Sequence, residues 1–552
     1  MLSLINIHTS RIFPVNLVTE NGRVISVEEV SGEVTGPYIL PGFVDAHIHV
    51  ESSMLVPSEF ARVAVVHGTV ATVSDPHEIA NVLGLEGVRY MIEDGERVPF
   101  TFAFGAPSCV PATPFESAGA VLGPKEVEEL LQDERILYLS EMMNYPGAIN
   151  RDPDVMAKIA AAQRLGLPVD GHAPGVRGDS LQAYIDAGIS TDHESFTYEE
   201  GKEKLERGMK LLIREGSAAR NFDALWPLLN EYPDRCMFSS DDRHPDDLIE
   251  GHINLLVKKA VRNGVDLMVA LRTASLHPVE HYSLPVGLLR PGDRADYIVI
   301  EDIEEMRVLK TVIGGEVVAE NGESRIPSHP IRIVNNFTAR SVDVEEIGVR
   351  VTGDEGKEGK DASVERVEVR VIEAIDGQII TGRTERRLPV EDGKIIADAS
   401  QDVAKIVVVN RYEQAPPAAA FITGFGLREG ALASSVAHDS HNVVAVGTSD
   451  EHIIRAIDLV MQQNGGLSAV SPSGHEVLPL PVAGLMSDRD PWSVADAYSV
   501  IDNFVRNDVG STLAAPFMTL SFMCLLVIPS LKLGDRGLFD GEAFEFVAIE
   551  RR

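Results

Sequence analysis

The chain has 552 residues, 84 of them acidic against 49 basic, for a formal net charge of −35. That length supports roughly two to four domains with sizeable cores, and the acidic balance argues against a nucleic-acid partner held through its phosphates. Three cysteines (Cys109, Cys236, Cys524) are too few and too scattered for a disulfide framework or a zinc finger.

The start, "MLSLINIHTSRIF", lacks the basic opening, apolar core and small-residue cleavage site of a signal peptide, so a cytoplasmic location is expected. Residues 1–42 alternate apolar and polar positions in short runs broken by Asn21-Gly22 and Ser31-Gly32, as small antiparallel strands do. From 43 to 285 the texture changes. Eight apolar runs, from "PGFVDAHIHV" through "GTVATVSD", "FTFAFGAP", "RILYLSEMM", "LPVDGHAPG", "ISTDHES" and "MKLLIREGS" to "RCMFSSDD", alternate with amphipathic segments such as "DPDVMAKIAAAQRLG". Eight strand–helix units predict an α/β fold, a (β/α)8 barrel rather than an open doubly wound sheet. Residues 286–335 return to short strands and Gly turns and are expected to join residues 1–42 in a small composite β-domain of sandwich type.

A charged, Gly-containing stretch at 352–366 reads as an exposed loop or hairpin. Strands resume at "VEVRVIEAI" and a helix is predicted at "SDEHIIRAIDLVMQQNGG", so residues 336–552 form a separate α+β domain. The longest apolar run, "LAAPFMTLSFMCLLVIP" (513–529), is interrupted by Pro516 and closed by Pro529. It predicts a buried strand or helix and no membrane span.

Barrel chemistry sits where strands end at their C-terminal edge. The first strand ends in His47 and His49, which a period of two places on one face. The fourth ends in Glu141, the fifth in His172, the sixth in His193 and Glu194, and the eighth in Asp241 and Asp242. Core histidines placed at random would not track strand ends in this way. Imidazole with carboxylate suits Zn, Mn or Fe rather than Ca or Mg. So many ligands exceed one tetrahedral site and predict two ions about 3.5–4 Å apart, bridged by Glu141. Such ions lower the pKa of a bound water toward about 7, and Asp241 would take its proton and deliver it to a leaving group.

Other residues carry competing readings. In "DPHEIANV", Asp75, His77 and Glu78 suit an accessory metal site or support for the main ligands, or equally an N-capped turn. Glu51 is expected to support a ligand rather than act as one. Arg214, Glu215 and Ser217 close the seventh strand and are candidates for substrate contact, although Arg214 and Glu215 could pair with each other. Glu194 could meet a substrate ring or form a plain salt bridge. His244 and His252 read as structural or solvated, and Met142 and Met143 as core fillers. His438, Asp439 and His441 of "AHDSHN" suit a wall over the site's mouth better than a second metal site.

"PGFVDAHIH", His172, His193, Asp241 and the closing "GLLRPGDRADYIV" resemble the amidohydrolase superfamily. Within it, "HVESSM", "DPHEIANVLG", "EMMNYPG", "DGHAPG", "DHES", "REGSAAR" and "DDRHPDDLIEGHI" resemble the bacterial and archaeal adenine deaminases. "TGFGLREGALASSVAHDSHNVVAVGTSDE" and "LPLPVAGLMSD" are similar to that family's own C-terminal domain, so the resemblance runs nearly the full length. It implies hydrolysis of adenine, a small purine base, to hypoxanthine and ammonia in purine salvage. It also implies a binuclear divalent centre, Mn2+ first with Fe2+ and Zn2+ as alternatives, on His47, His49, Glu141, His172, His193 and Asp241. Catalysis would fall to Asp241, His193 and Glu194, and a homodimer is expected. Many relatives in the superfamily bridge their metals with a carbamylated lysine; this chain has Glu141 there, as the adenine-specific group does. Ser240 stands where related sequences commonly carry Thr, which keeps the hydroxyl. Asp241 is preferred to Asp242 because it aligns with the superfamily's strand-end aspartate. The alternatives are another amidohydrolase-type deaminase or a cyclic amidohydrolase, acting on an N6-substituted adenine or a cyclic amide. A non-catalytic scaffold would not need all six ligands.

Overall fold

The computed structural model describes residues 2–351 and 366–551. All but the last residue of the stretch expected as a loop at 352–366 lies outside the described residues.

The chain opens with a hairpin, Arg11–Glu20 against Arg23–Glu29, turned by Asn21 and Gly22. Both turn residues have positive φ, 50° and 74°, the conformation for which Asn-Gly is the preferred pair. This hairpin belongs to one eight-stranded sheet drawn from both flanks. Tyr38–Pro41 pairs in parallel with Leu2–Asn6 and antiparallel with Tyr297–Ile300, which joins the two flanks.

Between the flanks lie eight parallel strands, here β1 (Phe43–Ile48), β2 (Thr69–Ser74), β3 (Thr101–Ala106), β4 (Ile136–Met142), β5 (Val169–Gly171), β6 (Thr191–Asp192), β7 (Lys210–Arg214) and β8 (Cys236–Ser239). β1 to β5 form one hydrogen-bonded run and β6 to β8 another. Ser190 N–H donates to Val169 O at 2.9 Å between β5 and β6. Asp241 N–H donates to His47 O at 2.9 Å and closes β8 onto β1. β1 and β2 are buried at every position, as expected for strands covered on both faces. The covering helices start at local signals: Asp152 caps Pro153–Arg164 and Thr197 caps Tyr198–Glu206. The architecture is a (β/α)8 barrel with a composite β-domain and a C-terminal α+β domain.

In that last domain ten strands form one sheet, antiparallel except where Arg366–Ala374 lies parallel to Ala418–Thr423. The predicted helix runs Asp450–Gln462, capped by Ser449. The apolar run near 513–529 forms the short helix Pro516–Phe522 and a following turn, buried without a break from 516 to 528. One apolar core joins Val82 and Met143 of the barrel to Ile379, Phe522 and Leu525 of this domain, so the two share an interior. Among the described residues no helix is long and apolar enough to cross a membrane.

Candidate metal centre

Strand geometry converges the titratable side chains on one buried point. His49 Nε2 lies 3.2 Å from Glu141 Oε1 and 3.3 Å from Asp241 Oδ1. Glu141 turns its other oxygen to His172 Nδ1 at 2.7 Å and His193 Nε2 at 3.1 Å. The His47 ring stacks on His193 at 4.1 Å, with its Nε2 3.6 Å from Asp241 Oδ1. All six residues are at most 5 % exposed. Glu141 therefore sits between His49 on one oxygen and the His172–His193 pair on the other.

This donor set fits cations. Both ring nitrogens of His47 and the Nε2 of His172 are buried without a hydrogen-bond partner, an arrangement that costs free energy unless a cation takes up a ring lone pair. His49 Nδ1 lies 3.1 Å from the Asp75 carbonyl, which can only accept. Nδ1 thus carries a proton, which leaves Nε2, beside two carboxylate oxygens, as the ring's candidate ligand atom. A fixed tautomer of this kind is how metal-binding imidazoles are oriented. These residues suit a divalent metal ion.

Electrostatics separates the carboxyls. Burial pushes Glu141 up, but His172, His193 and His49 outweigh it and hold the group well below the usual range. Asp241 is likewise pushed up by burial and drawn well below it by Arg214, His47 and His49. Asp242 moves the other way, raised by burial and by Asp241 beside it. It accepts from Ser52 Oγ at 2.5 Å, whereas Asp241 faces the histidines. Asp241 has φ = 54°, the left-handed region that Asp tolerates better than most residues. Burial pushes His172 down, yet Glu194 and Glu141 raise it to about 9. His193 is lowered by burial and by His47.

Arg214 sits on the cavity's inner side. It grips Glu194 through two parallel N–H···O bonds of 2.6 and 2.9 Å and also contacts Asp241. Side chains alternate along a strand, so the next residue, Glu215, points away and lies 3.2 Å from Lys259 Nζ. Ser217 Oγ bonds Asp247 at 2.5 Å and accepts from His244 N–H. Of the three residues expected to contact substrate, Arg214 alone lines the cavity. Its partner is Glu194 and not Glu215.

The "DPHE" segment reaches the same cavity. Asp75 holds His49 through its carbonyl and His77 through its carboxylate, at 3.1 Å each. His77 Nδ1 is 3.4 Å from Glu141. Glu51, whose buried carboxyl is pushed up to about 7, accepts from Ile79 N–H at the start of this helix. Glu78 crosses to the C-terminal domain, where it meets His438 Nδ1 at 2.5 Å and His441 Nε2. These three could suggest a further metal site, but His441 Nδ1 accepts from Ala437 N–H at 3.2 Å. The proton of neutral His441 must then sit on Nε2 and donate to Glu78, so the group is a hydrogen-bonded link between domains. His252 lies 2.8 Å from Asp45, whose carboxylate also accepts from Ser240; His244 packs against Tyr498. Both stand apart from the centre.

Sequence reading missed part of the lining: Ile379, Phe522 and Leu525 border the same cavity as the histidines. Met143 lines it too, while Met142 is buried. Phe522 and Leu525 lie in the apolar run closed by Pro529, a signal for burial but not for a site. Nothing local marks Ile379.

The amidohydrolase family model matches residues 38–318, and the adenine deaminase C-terminal domain matches 378–545. An adenine deaminase of Salinibacter ruber is 56 % identical over 545 residues, covering 99 % of this chain and 97 % of that one. One from a Sulfurovum species is 54 % identical, covering 99 % of both, and one from Methanosarcina mazei is 49 % identical, covering 98 % and 97 %. Among solved structures, a beta-aspartyl dipeptidase of Fervidobacterium islandicum covers 59 % of this chain and 98 % of its own, at 17 % identity and a TM-score of 0.45. With half its sequence or more shared from end to end with proteins of that name, the chain belongs to the adenine deaminase family of the amidohydrolases.

Proposed function

We propose that this chain hydrolyses adenine to hypoxanthine and ammonia, as an enzyme of purine salvage. The end-to-end likeness to adenine deaminases carries the substrate, because a His/carboxylate centre sets the chemistry and not the pocket. His47, His49 and Asp241 would hold one divalent ion, His172 and His193 a second, and Glu141 both. Two such ions, Mn2+ in this reading with Fe2+ and Zn2+ as alternatives, supply an activated water and a polarised electrophile at neutral pH.

The chain's own residues do the rest. Asp241, kept ionised by Arg214 and the histidines, accepts the proton of the water attacking C6 and returns it to the departing amine. His193, held with a low proton affinity, offers a neutral ring beside that point. Glu194 meets a ring nitrogen of the base, and Arg214 fixes its carboxylate in the required direction. Burial of all these groups keeps bulk water from weakening their interactions. Asp75, His77, Glu78 and Glu51 support the ligands from behind. We also infer a homodimer, which light scattering tests.

Metal analysis with an ammonia-release assay on adenine, cytosine, guanine, adenosine and hydantoin tests the whole reading. Turnover confined to adenine by a metal-loaded enzyme supports it. Preferential opening of hydantoin, or release from another base only, would replace it with the cyclic-amide or alternative-deaminase assignment.

A further inference from the structure

Five side chains of the C-terminal domain complete the cavity: Ile379, His438, Asp439, Phe522 and Leu525. The hydrolytic chemistry proposed above uses none of them, yet they border the same cavity as the metal-site histidines. Phe522 and His438 stack with ring centroids 4.9 Å apart and planes within 19° of parallel. Ile379 and Leu525 add aliphatic surface. Two buried devices hold this wall in place. Glu78 of the barrel bonds His438 Nδ1 at 2.5 Å across 360 residues of sequence. Lys532, wholly buried, donates from Nζ to the carbonyls of Ile379 at 2.6 Å and Phe522 at 2.9 Å, two cavity-lining residues far apart in the chain.

A purine base presents apolar π-faces and a polar edge. An aromatic and aliphatic wall with one imidazole suits that shape, whereas an open-chain amide offers a much smaller planar face. We propose that this wall is the base-recognition surface: Phe522, Ile379 and Leu525 pack against the plane of the base and His438 meets its edge. Lys532 is a positioning residue that holds Ile379 and Phe522 in register. The inference rests on the adenine reading and adds that specificity resides in the C-terminal domain.

The test is steady-state deamination of adenine by the full-length, metal-loaded protein and by Phe522→Leu, Ile379→Ala and Lys532→Met, with metal content measured for each. Loss of base stacking raises KM about tenfold or more in Phe522→Leu, with kcat within about threefold and metal content unchanged. Ile379→Ala, a milder truncation, shifts KM in the same direction and covers the case in which Phe522→Leu does not fold. Lys532→Met raises KM without metal loss, a split that general destabilisation would not produce. Folded, metal-loaded variants with unchanged KM, or with a fall confined to kcat, overturn the inference while the parent's turnover upholds the adenine reading. A parent inert toward adenine overturns both.

Discussion

Replacing Arg214 by methionine removes the side chain that grips Glu194 with two bonds, at 2.6 and 2.9 Å, in a setting 2 % exposed. Deleting one member of a buried, hydrogen-bonded charge group costs about 3–5 kcal/mol, because the partner's charge stays behind unpaired. With metals bound Asp241 has other partners, so Glu194 dominates and the lower end, about 3 kcal/mol, applies. Urea unfolding of the metal-loaded protein reads this loss. If Arg214 acts on catalysis through Glu194, kcat/KM falls about a hundredfold, and Glu194→Gln alone falls by a similar factor. The double variant should then be no slower than the worse single one, a coupling of about 2–3 kcal/mol. It should also be more stable than Arg214→Met, since the orphaned carboxylate is gone. Additive losses in rate and stability would refute the claim that the two residues work as a unit.

Glu141→Gln should hold fewer metals per chain than the parent, because an amide bridges two cations poorly; elemental analysis with two metals retained would end the bridging assignment. Asp241→Asn should lower kcat by about 10²–10⁴, whereas Asp242→Asn, whose amide oxygen can still accept from Ser52, should keep most of its turnover; the reverse ranking would exchange their roles. Burial pushes the Glu116 carboxyl up to about 8 from an ordinary 4.5, so the folded protein binds a proton that the unfolded chain releases between those values. Stability from this group therefore falls as pH rises from 4.5 to 8, by about 4 kcal/mol, and Glu116→Gln should match the parent near pH 5 and exceed it at pH 8. Parallel denaturation curves for the two proteins across that range would contradict this sign.

The centre of this site was legible because a barrel turns a local regularity into a spatial one. A strand end is recognisable from an apolar run, and every parallel strand of a closed barrel delivers its end to the same face. His47, His49, Glu141, His172, His193 and Asp241 therefore announce their meeting even though up to 194 residues separate them. The hairpin at Asn21-Gly22 and the capped helix after Ser449 were legible for the same reason: their cause lies within a few residues.

Pairings across elements had no such local cause. Whether Arg214 would bond Glu215 next to it or Glu194 twenty residues back depended on which face of β7 points inward, and closure of the barrel decided that. The tautomer of His441, and with it the character of the Glu78 link, hinges on one backbone N–H supplied by the turn at Ala437. Ile379, Phe522 and Leu525 became cavity walls only because the C-terminal domain packs against the barrel there and a buried lysine ties two of their carbonyls together. Apolar residues look alike wherever they are buried. What they face is a property of the packed interface between domains, a contact of hundreds of residues' separation that no periodicity encodes.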